Sequence, residues 1–401
     1  MRLPLVLLLP VLILGILMDW YIYRSVAKNC RKHARTCKKI VLWTSVFCEL
    51  VLILLIIWPK RSGSENNLTF LMWGLYSWFS IYISKLIFII ADLISAIPAR
   101  LFSKKRKPRK LIVPTVLAII CFLTMWWGAL INRFNIDVVE VPFIDQRVPD
   151  DFNGFKIAQI SDIHTGTYGD DTSFLEKLVE RVNELNPDVI LFTGDIVNRR
   201  TDELLPFVET LAKLNAPYGV YSVLGNHDYG DYYSWESPEA KQADHEQLLE
   251  LQQKMGWKLL NNTHEFIHRG NDSIAIIGVE NIGDPPFNTY GDLDLAYPAD
   301  LADDNFKILM SHNPAHWVND IKDSPDKNIP LTLSGHTHAM QIELFGISPA
   351  ALRYSTWGGM YDDGVNKHRL YVNIGTGEVG IPARIGATPE ITLFTLSNSH
   401  K

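Results

Sequence analysis

Cysteine is scarce in this 401-residue sequence and absent from its last two thirds. The only cysteines are Cys30, Cys37, Cys48 and Cys121. Residues 134–401 therefore hold no disulfide and no thiolate metal site, and any metal bound there needs nitrogen or oxygen ligands. Internal repeats and low-complexity tracts are also missing.

Acidic side chains are scarce in the first third. Residues 1–133 hold 19 Lys and Arg but 4 Asp and Glu, a net charge of +15. The remaining 268 residues hold 19 basic and 40 acidic side chains, a net charge of −21. The overall charge of −6 therefore sums two unlike segments, which excludes one uniform globule. Because the basic residues flank apolar runs, we predict no nucleic-acid binding surface.

Four apolar runs of 19 residues or longer fill the first third. They are Leu3–Tyr23, Ile40–Trp58, Leu68–Ile90 and Leu111–Ile131. Roughly 20 apolar residues span a bilayer as a helix. A signal peptide is the alternative for the first run, but it lacks a small-residue cleavage site and continues into Asp19-Trp20-Tyr21. We predict about four transmembrane helices in residues 1–133, contacting the lipid bilayer.

Loop charge predicts the orientation of these helices. Residues 24–39 and residues 100–110 each carry seven Lys and Arg, whereas the loop between the second and third runs has only Lys60 and Arg61, offset by Glu65. The positive-inside rule puts both basic loops in the cytoplasm, which makes the acidic part of a multi-pass cell-membrane protein extracytoplasmic. This orientation fails if the third run, which is long, forms two spans.

Glu49 lies in the middle of the second apolar run, Lys85 lies inside the third, and Asp92 lies near the end of the third. Charges in lipid are costly and are usually paired, so we expect a structural Glu49–Lys85 pair between helices. A transport pathway is the alternative, but three such residues are few for a transporter.

The acidic part alternates β-rich runs with helical patterns. We expect a tether over 134–153 and an α/β domain of stacked sheets over 154–401. The predicted helices are Asp171–Asn186, Glu203–Leu214 and Ala243–Met255. The predicted strands are Phe155–Ser161, Val189–Thr193, Gly219–Leu224, Ser273–Val279, Phe306–Ser311, Leu331–Ser334, Leu370–Ile374 and Ile391–Leu396.

Polar residues gather at the ends of five of these strands. In chain order they are Asp162 with His164, Asp195, Asn226 with His227 and Asp228, His312, and His336 with His338. Such side chains can converge on one rim, where open α/β sheets place their sites. A mixture of His, Asp and Asn suits Mn, Fe or Zn, and two ions about 3.5–4 Å apart would clamp a displacement at phosphorus.

The motif order D-x-H, GD, GNHD, H and GHTH resembles that of the calcineurin-like metallophosphoesterases, from about Val139 to Leu396. Residues 155–162 and 389–391 are similar to the membrane-associated bacterial YkuE-like branch. The resemblance implies a two-sheet sandwich flanked by helices. Two departures lie near the ligands: Ala339-Met340-Gln341, where the branch usually has glycines, and Asn373-Ile374-Gly375, where it tends to have Arg-Gly after the asparagine. They put the transfer of a relative's substrate in doubt.

The resemblance also implies roles for the polar residues. One divalent metal would be held by Asp162, His164, Asp195 and His338, and the second by Asp195, Asn226, His312 and His336. A hydroxide bridging the two metals would attack phosphorus. His227 would stabilise the phosphoryl oxygens or protonate the leaving group, and Asp228 would orient its ring.

The resulting hypothesis is a membrane-anchored, dinuclear-metal phosphoesterase acting on a phosphodiester or phosphomonoester. Candidate substrates are a phospholipid, a lipid-linked intermediate, a nucleotide and a wall polymer. The alternatives are a non-catalytic metal-binding or interaction module on the same fold, and a sensor or transporter with a regulatory outer domain. The His227–Asp228 pair opposes the first alternative, and the few intramembrane polar residues oppose the second. Metal identity, substrate and oligomeric state stay open.

Overall fold

A computed structural model describes residues 5–29, 34–57, 65–102, 111–297, 301, 305–324, 327–364 and 367–398. The chain divides into two compact units. The first is Met1–Ile131 with Gly380–Ala383, and the second is Asn132–Val379 with Arg384–Lys401. Most of the basic residues that predict the orientation lie outside the described part, among them Arg31, Lys32 and residues 103–110.

Four long helices form the first unit. They are α1 (Leu5–Asn29), α2 (Ala34–Ile57), α3 (Glu65–Phe102) and α4 (Ile112–Leu130). Each coincides largely with a candidate membrane span, and these spans are Leu9–Asn29, Arg35–Ile57, Thr69–Ile97 and Ile112–Phe134. The prediction of about four apolar spans is confirmed, and the third run is one continuous helix rather than two spans.

The charged pair inside the first unit differs from the predicted one. Lys85 on α3 pairs with Asp19 on α1, with Nζ 2.6 Å from Oδ1. The hydroxyl of Tyr82 instead lies 2.9 Å from Oε1 of Glu49 on α2 and 2.9 Å from Oδ2 of Asp19, so the two carboxylates share it. The expected Glu49–Lys85 pair is therefore wrong, because Asp19 takes the ammonium group and Glu49 contacts a tyrosine hydroxyl instead.

Twelve strands and four further α-helices form the described part of the second unit. The helices are α5 (Ser173–Glu184), α6 (Val208–Leu211), α7 (Pro238–Lys254) and α8 (Leu293–Ala296). The strands are β1 (Asp137–Ile144), β2 (Lys156–Ile160), β3 (Val189–Phe192), β4 (Val220–Ser222), β5 (Lys258–Leu259), β6 (Thr263–Arg269), β7 (Asp272–Gly278), β8 (Phe306–Met310), β9 (Leu331–Ser334), β10 (Gly359–Asp362), β11 (Arg369–Val372) and β12 (Glu390–Ser397).

These strands form two mixed six-stranded sheets. The first has the order β1-β12-β2-β3-β4-β5 and the second β10-β11-β9-β8-β7-β6. Strands β2, β3 and β4 run parallel to one another, as do β7, β8 and β9. Parallel neighbours end at the same edge of a sheet, so the residues that follow them share one rim.

Buried apolar side chains fill three layers. Ile157, Leu191 and Ile308 belong to a core shared by the inner faces of both sheets. The outer face of the first sheet packs against α5 and α7, which contribute Leu178 and Leu248 to a second core. A third core covers the outer face of the second sheet. The α/β two-sheet sandwich flanked by helices is therefore confirmed.

The expected tether over 134–153 contains a strand of the first sheet. Residues Asp137–Ile144 form β1, and they pair in parallel with Glu390–Ser397 over their full length. A tether interpretation is wrong for this stretch, because a partner more than 240 residues away supplies its backbone hydrogen bonds. The folded unit therefore begins close to the end of α4.

The predicted helix Glu203–Leu214 is shorter and partly of another type. Residues Thr201–Phe207 form a 3-10 segment, and only Val208–Leu211 are α-helical. Pro206 lies inside this 3-10 segment and has no amide hydrogen to donate to an α-helical bond.

Candidate metal centre

The side chains predicted as metal ligands follow the carboxyl ends of β2, β3, β4, β8 and β9. Potential ligand atoms form three groups in which all atoms lie within 4.8 Å of one another. The groups are Asp162 with His164 and His338, His164 with Asp195 and His227, and Asp195 with His312 and His336. Asn226 joins the last group, since its Oδ1 lies 3.2 Å from Nε2 of His312. The two sheets thus bring all seven predicted ligands to one rim.

Five of these seven residues have a left-handed backbone. The φ angles of Asp162, His164, Asp195, His336 and His338 lie between 49° and 74°. This conformation is uncommon outside glycine and costs free energy, and such residues cluster at functional sites. Backbone strain is therefore concentrated at the positions whose side chains point toward the shared rim.

Two glycines make room for the carboxylates. A Cβ atom at Gly335 would collide with Oγ of Ser161 and Oδ2 of Asp162. A Cβ atom at Gly225 would lie 2.7 Å from Cγ of Asp195. Both are far inside van der Waals distance. The aspartates occupy space that any other residue at these positions would fill.

Backbone carbonyls fix the orientation of two imidazoles. Nδ1 of His164 lies 3.1 Å from the carbonyl oxygen of Val197, and Nδ1 of His312 lies 2.8 Å from that of Thr193. A carbonyl can only accept, so each Nδ1 carries a proton, and each Nε2 is the ring nitrogen directed at the rim. Histidines that bind metals commonly donate their other ring N–H to such a group.

Ring nitrogens and carboxylate oxygens converge in a way that fits cations. Nε2 of His164 lies 3.0 Å from Nε2 of His338, which in turn lies 3.1 Å from Oδ1 of Asp162. Nε2 of His312 lies 3.1 Å from Oδ2 of Asp195. All five side chains are buried. Buried carboxylates and imidazoles facing one another form the nitrogen and oxygen donor set that divalent transition metals bind.

The electrostatics of the rim keep most of these groups in the ligand form. Burial and the neighbouring His227 hold the pKa of His164 well below its usual value. Burial and His312 lower the pKa of His336 to about 3. For His312 burial acts in the opposite direction, but the Asp195 carboxylate raises its pKa to about 9. His312 is therefore the imidazole that must release a proton before it binds a cation.

His227 and Asp228 are placed differently from each other. His227 is half-buried, and its Nδ1 lies 2.6 Å from the carbonyl oxygen of Asn198. Asp228 is buried and accepts hydrogen bonds from the backbone N–H groups of Asp195 and Gly225, both at 2.8 Å. The expectation that Asp228 orients the ring of His227 is wrong. Asn198 orients the ring, and Asp228 holds the backbone of the two loops that carry Asp195 and Asn226.

Two tyrosines that the sequence analysis did not single out contact predicted ligands. The hydroxyl of Tyr232 accepts a hydrogen bond of 2.9 Å from Nδ2 of Asn226, which leaves Oδ1 of the amide for a cation. The hydroxyl of Tyr354 lies 3.1 Å from Nε2 of His336, which leaves Nδ1. Neither tyrosine belongs to a recognisable motif, so only the folded chain reveals them.

The departure at residues 339–341 has a visible backbone cost. Ala339, Met340 and Gln341 have φ angles of 50°, 46° and 59°. Glycine adopts this region freely, whereas a side chain makes it unfavourable. This chain forms, without glycine, a turn that suits glycine. Each of the three residues that follow His338 therefore carries a side chain.

Family models match both units. Residues 155–340 match the model described as calcineurin-like phosphoesterase, and residues 1–133 match one described as a probable calcineurin-like phosphoesterase, transmembrane domain. The Bacillus subtilis metallophosphoesterase YkuE is 31% identical over 276 residues, which cover 66% of this chain and 87% of the relative. The chain belongs to the calcineurin-like phosphoesterase family. The predicted metal-dependent phosphoesterase and membrane protein are confirmed at the level of the family.

Two further relatives bear on substrate and length. A transmembrane protein with metallophosphoesterase domain from Danio rerio is 34% identical over 71% of this chain, and the match spans 63% of that protein's length. The UDP-2,3-diacylglucosamine pyrophosphatase LpxG from Chlamydia muridarum is 28% identical over 55% of this chain and 75% of its own length.

Proposed function

We propose that this protein is a membrane-anchored hydrolase that cleaves phosphate esters with two divalent cations. The convergence of buried Nε2 atoms and carboxylate oxygens at the shared rim is the observation that supports it. These atoms lie 3.0 to 3.2 Å apart, and the backbone of most of the residues that carry them is in the uncommon left-handed region. A fold without cations has no evident use for that arrangement.

Each cation would have its own ligand set. One set is Asp162, His164, Asp195 and His338, and the other is Asp195, Asn226, His312 and His336. Asp195 would serve both, in line with its membership of two of the three groups of potential ligands. When bound, two cations supply positive charge that polarises a phosphate ester and activates water. Manganese, iron and zinc fit this donor set.

His227 is the proposed proton donor. Its Nδ1 contacts the carbonyl of Asn198, so the imidazolium form presents Nε2–H away from that contact. As the P–O bond to the leaving group breaks, Nε2 gives its proton to the departing oxygen and the ring becomes neutral. Asp228 acts as a positioning residue, since its carboxylate holds the backbone beside the shared Asp195.

Metal content separates these roles. His227 also lies within 4.8 Å of the ligand atoms of His164 and Asp195, so the structure allows it to be a ligand. We expect His227→Ala in the full chain to keep two bound cations and to lose most of its turnover of a chromogenic phosphodiester. Asp195→Ala should lose both cations and the turnover. A His227→Ala variant that loses a cation would make His227 a ligand and remove it as the proton donor.

The second unit is proposed to face the extracytoplasmic side of the membrane. The basic segments 24–39 and 100–110 support this orientation through the positive-inside rule. Protease added to intact cells should then cleave the second unit, whereas protection until the membrane is permeabilised would reverse the proposed orientation.

The substrate class is proposed to be a phosphate ester near the bilayer. Four apolar helices hold the catalytic unit at the membrane, which raises the local concentration of lipid-linked esters. LpxG is named for a diacylated substrate, which makes a lipid or cell-envelope substrate worth testing first. Vesicles carrying a lipid phosphodiester and solutions of a nucleotide ester, assayed in parallel, separate the two classes.

A further inference from the structure

An exposed apolar segment lies beside the proposed active site. Between Ala339 and Leu352 the only charged residue is Glu343. The side chain of Phe345 is fully exposed, and those of Leu352 and Ile347 expose 93% and 72% of their surface. Leu344 and Met340 are also exposed. Soluble surfaces rarely place so many large apolar side chains together, and such patches mark contact with a partner or a membrane.

The backbone holds Phe345 at the tip of a tight turn. Leu344 and Ile347 exchange two backbone hydrogen bonds of 2.9 and 3.1 Å, which makes Phe345 and Gly346 the central residues of a two-residue turn. Both have positive φ angles, of 55° and 76°. Turns of this kind favour Asn, Asp or Gly at both central positions, and a bulky residue there is strained. The side chain of Phe345 at the first position is fully exposed, so packing against the described residues does not offset that strain.

The base of this segment is firmly held. Oγ of Ser348 donates a hydrogen bond of 2.5 Å to the carbonyl of Ala339. The backbone N–H of Glu343 donates to the carbonyl of Ile385 at 2.9 Å, and that of Ile385 donates to the carbonyl of Gln341 at 2.8 Å. The apolar side chains therefore project from a fixed turn rather than from a loose loop.

Both ends of the segment lead into the metal centre. His338 directly precedes Ala339, and Tyr354, two residues after Leu352, contacts Nε2 of His336. The apolar segment is consequently connected at both ends to the rim where a phosphate ester would bind.

Chain continuity indicates what covers the tip. Asn132, which lies two residues after α4, donates a hydrogen bond of 3.0 Å from Nδ2 to the carbonyl of Arg384. Arg384 directly precedes Ile385, the backbone partner of Gln341 and Glu343. The base of the apolar segment is thus joined by these hydrogen bonds to Asn132, near the end of the fourth candidate span, Ile112–Phe134. The chain connection between α4 and this base is therefore short, which favours a bilayer as the occupant over a separate protein.

We propose that the turn Leu344–Ile347, together with Leu352, inserts into the bilayer surface and holds the metal centre at the level of lipid phosphates. Apolar side chains that lie in the interface gain free energy from leaving water. Glu343 is the single charge in the segment, so little desolvation of charge opposes insertion.

A fluorescent label tests insertion in the full chain. Its four native cysteines are replaced by serine, the Phe345→Cys variant carries an environment-sensitive fluorophore, and the protein is placed in phosphatidylcholine–phosphatidylglycerol vesicles. Leu295→Cys is the matched control, because Leu295 on α8 is another large apolar residue and exposes 65% of its surface. We expect a blue-shifted emission for the label at 345, quenched by acyl-chain spin labels and shielded from iodide, with the reverse at 295.

Two outcomes would overturn insertion. A label at 345 that iodide quenches as strongly as the label at 295 leaves the turn in water. A label that is shielded from iodide but not quenched by lipid spin labels is covered by protein, either another part of this chain or a second molecule. Wild-type secondary structure by circular dichroism confirms that both labelled chains are folded.

A consequence for substrate use rests on the proposed function. The triple variant Phe345→Ser, Ile347→Ser and Leu352→Ser should hydrolyse a vesicle-embedded phosphodiester several-fold more slowly and a water-soluble one at the wild-type rate. Equal rates on the embedded ester would contradict a role for insertion. Absence of hydrolysis of either ester by the wild-type chain, with cations bound, would instead contradict the proposed function and leave the fluorescence result standing.

Discussion

Replacing Gly335 by alanine should damage the metal centre without removing a ligand. The added Cβ would overlap the side chains of Ser161 and Asp162, both of them buried. To regain van der Waals distance the Asp162 carboxylate must move by about 1 Å. Overpacking of this kind costs about 1–3 kcal/mol of stability, and a misplacement of about 1 Å can lower a rate about 100-fold.

The loss should be confined to one cation. Asp162 belongs to only one of the two proposed ligand sets, so Gly335→Ala should retain the cation held by Asn226, His312 and His336. Metal analysis of the purified full chain should then fall from two ions toward one, with a correspondingly low hydrolysis rate at limiting Mn²⁺. Metal removal by chelator followed by reloading checks that both forms were saturated.

Gly154→Ala is the matched control. A Cβ atom added at Gly154 would lie in open space. Its φ of 79° makes alanine strained there, but without a steric clash. This variant should lose about 1 kcal/mol of stability and keep both ions and its rate. Gly335→Ala with wild-type metal content and rate would refute the steric reasoning, whereas equal metal loss in both variants would point to general destabilisation.

Three further changes test other contacts. Burial raises the pKa of Glu378 from its usual 4.5 to about 7 in the folded chain, although the nearby Arg133 opposes this. As the pH rises the unfolded chain ionises first, so the free energy of unfolding should fall by about 3 kcal/mol between pH 4.5 and 7. Thermal unfolding of Glu378→Gln should lack this fall, and stability curves of the two proteins that run parallel with pH would contradict the reasoning. Tyr354→Phe should weaken Mn²⁺ binding by about 10–100-fold in calorimetry, with Tyr290→Phe unchanged. Asp228→Asn should cost about 1.5–3 kcal/mol in unfolding experiments, and a wild-type midpoint would argue against its hydrogen-bonding role.

Much of the sheet architecture could be predicted from local sequence. The buried strand Val189–Phe192, of sequence VILF, has the form of a short apolar run, and α5 shows the spacing of an amphipathic helix. Strand β1 escaped prediction because its partner lies at the far end of the chain. Strand β6, of sequence THEFIHR, is an edge strand rich in polar residues and so has a weak signal.

The metal centre was predictable to the extent that it depends on residues at strand ends. The sequence placed polar side chains after parallel strands, and the geometry of such sheets brings these positions together. It could not show the direction of a side chain. The adjacency of His227 and Asp228 suggested a contact between them, but the fold turns the carboxylate toward the backbone of Asp195. Tyr354 contacts its histidine through tertiary packing that has no local pattern.

The ionic pairs of the first unit show the same limit. Glu49 and Lys85 lie in neighbouring apolar runs, which made their pairing a reasonable expectation. The choice between Glu49 and Asp19 as the partner of Lys85 depends on how α1, α2 and α3 rotate against one another, and the structure selects Asp19. Helix rotation follows from packing of many weakly specific apolar side chains, which hydropathy alone does not encode.

The most direct measurement is a titration of the metal-free full chain with Mn²⁺ while bound metal and hydrolysis of a chromogenic phosphodiester are followed together. The account predicts two bound ions per chain, with turnover appearing as the second ion binds, and neither in the Asp195→Ala variant. Two ions bound to the wild-type chain without turnover of any phosphate ester would contradict the catalytic claim. Turnover that is complete with one ion, or that survives in Asp195→Ala, would contradict the shared two-cation site.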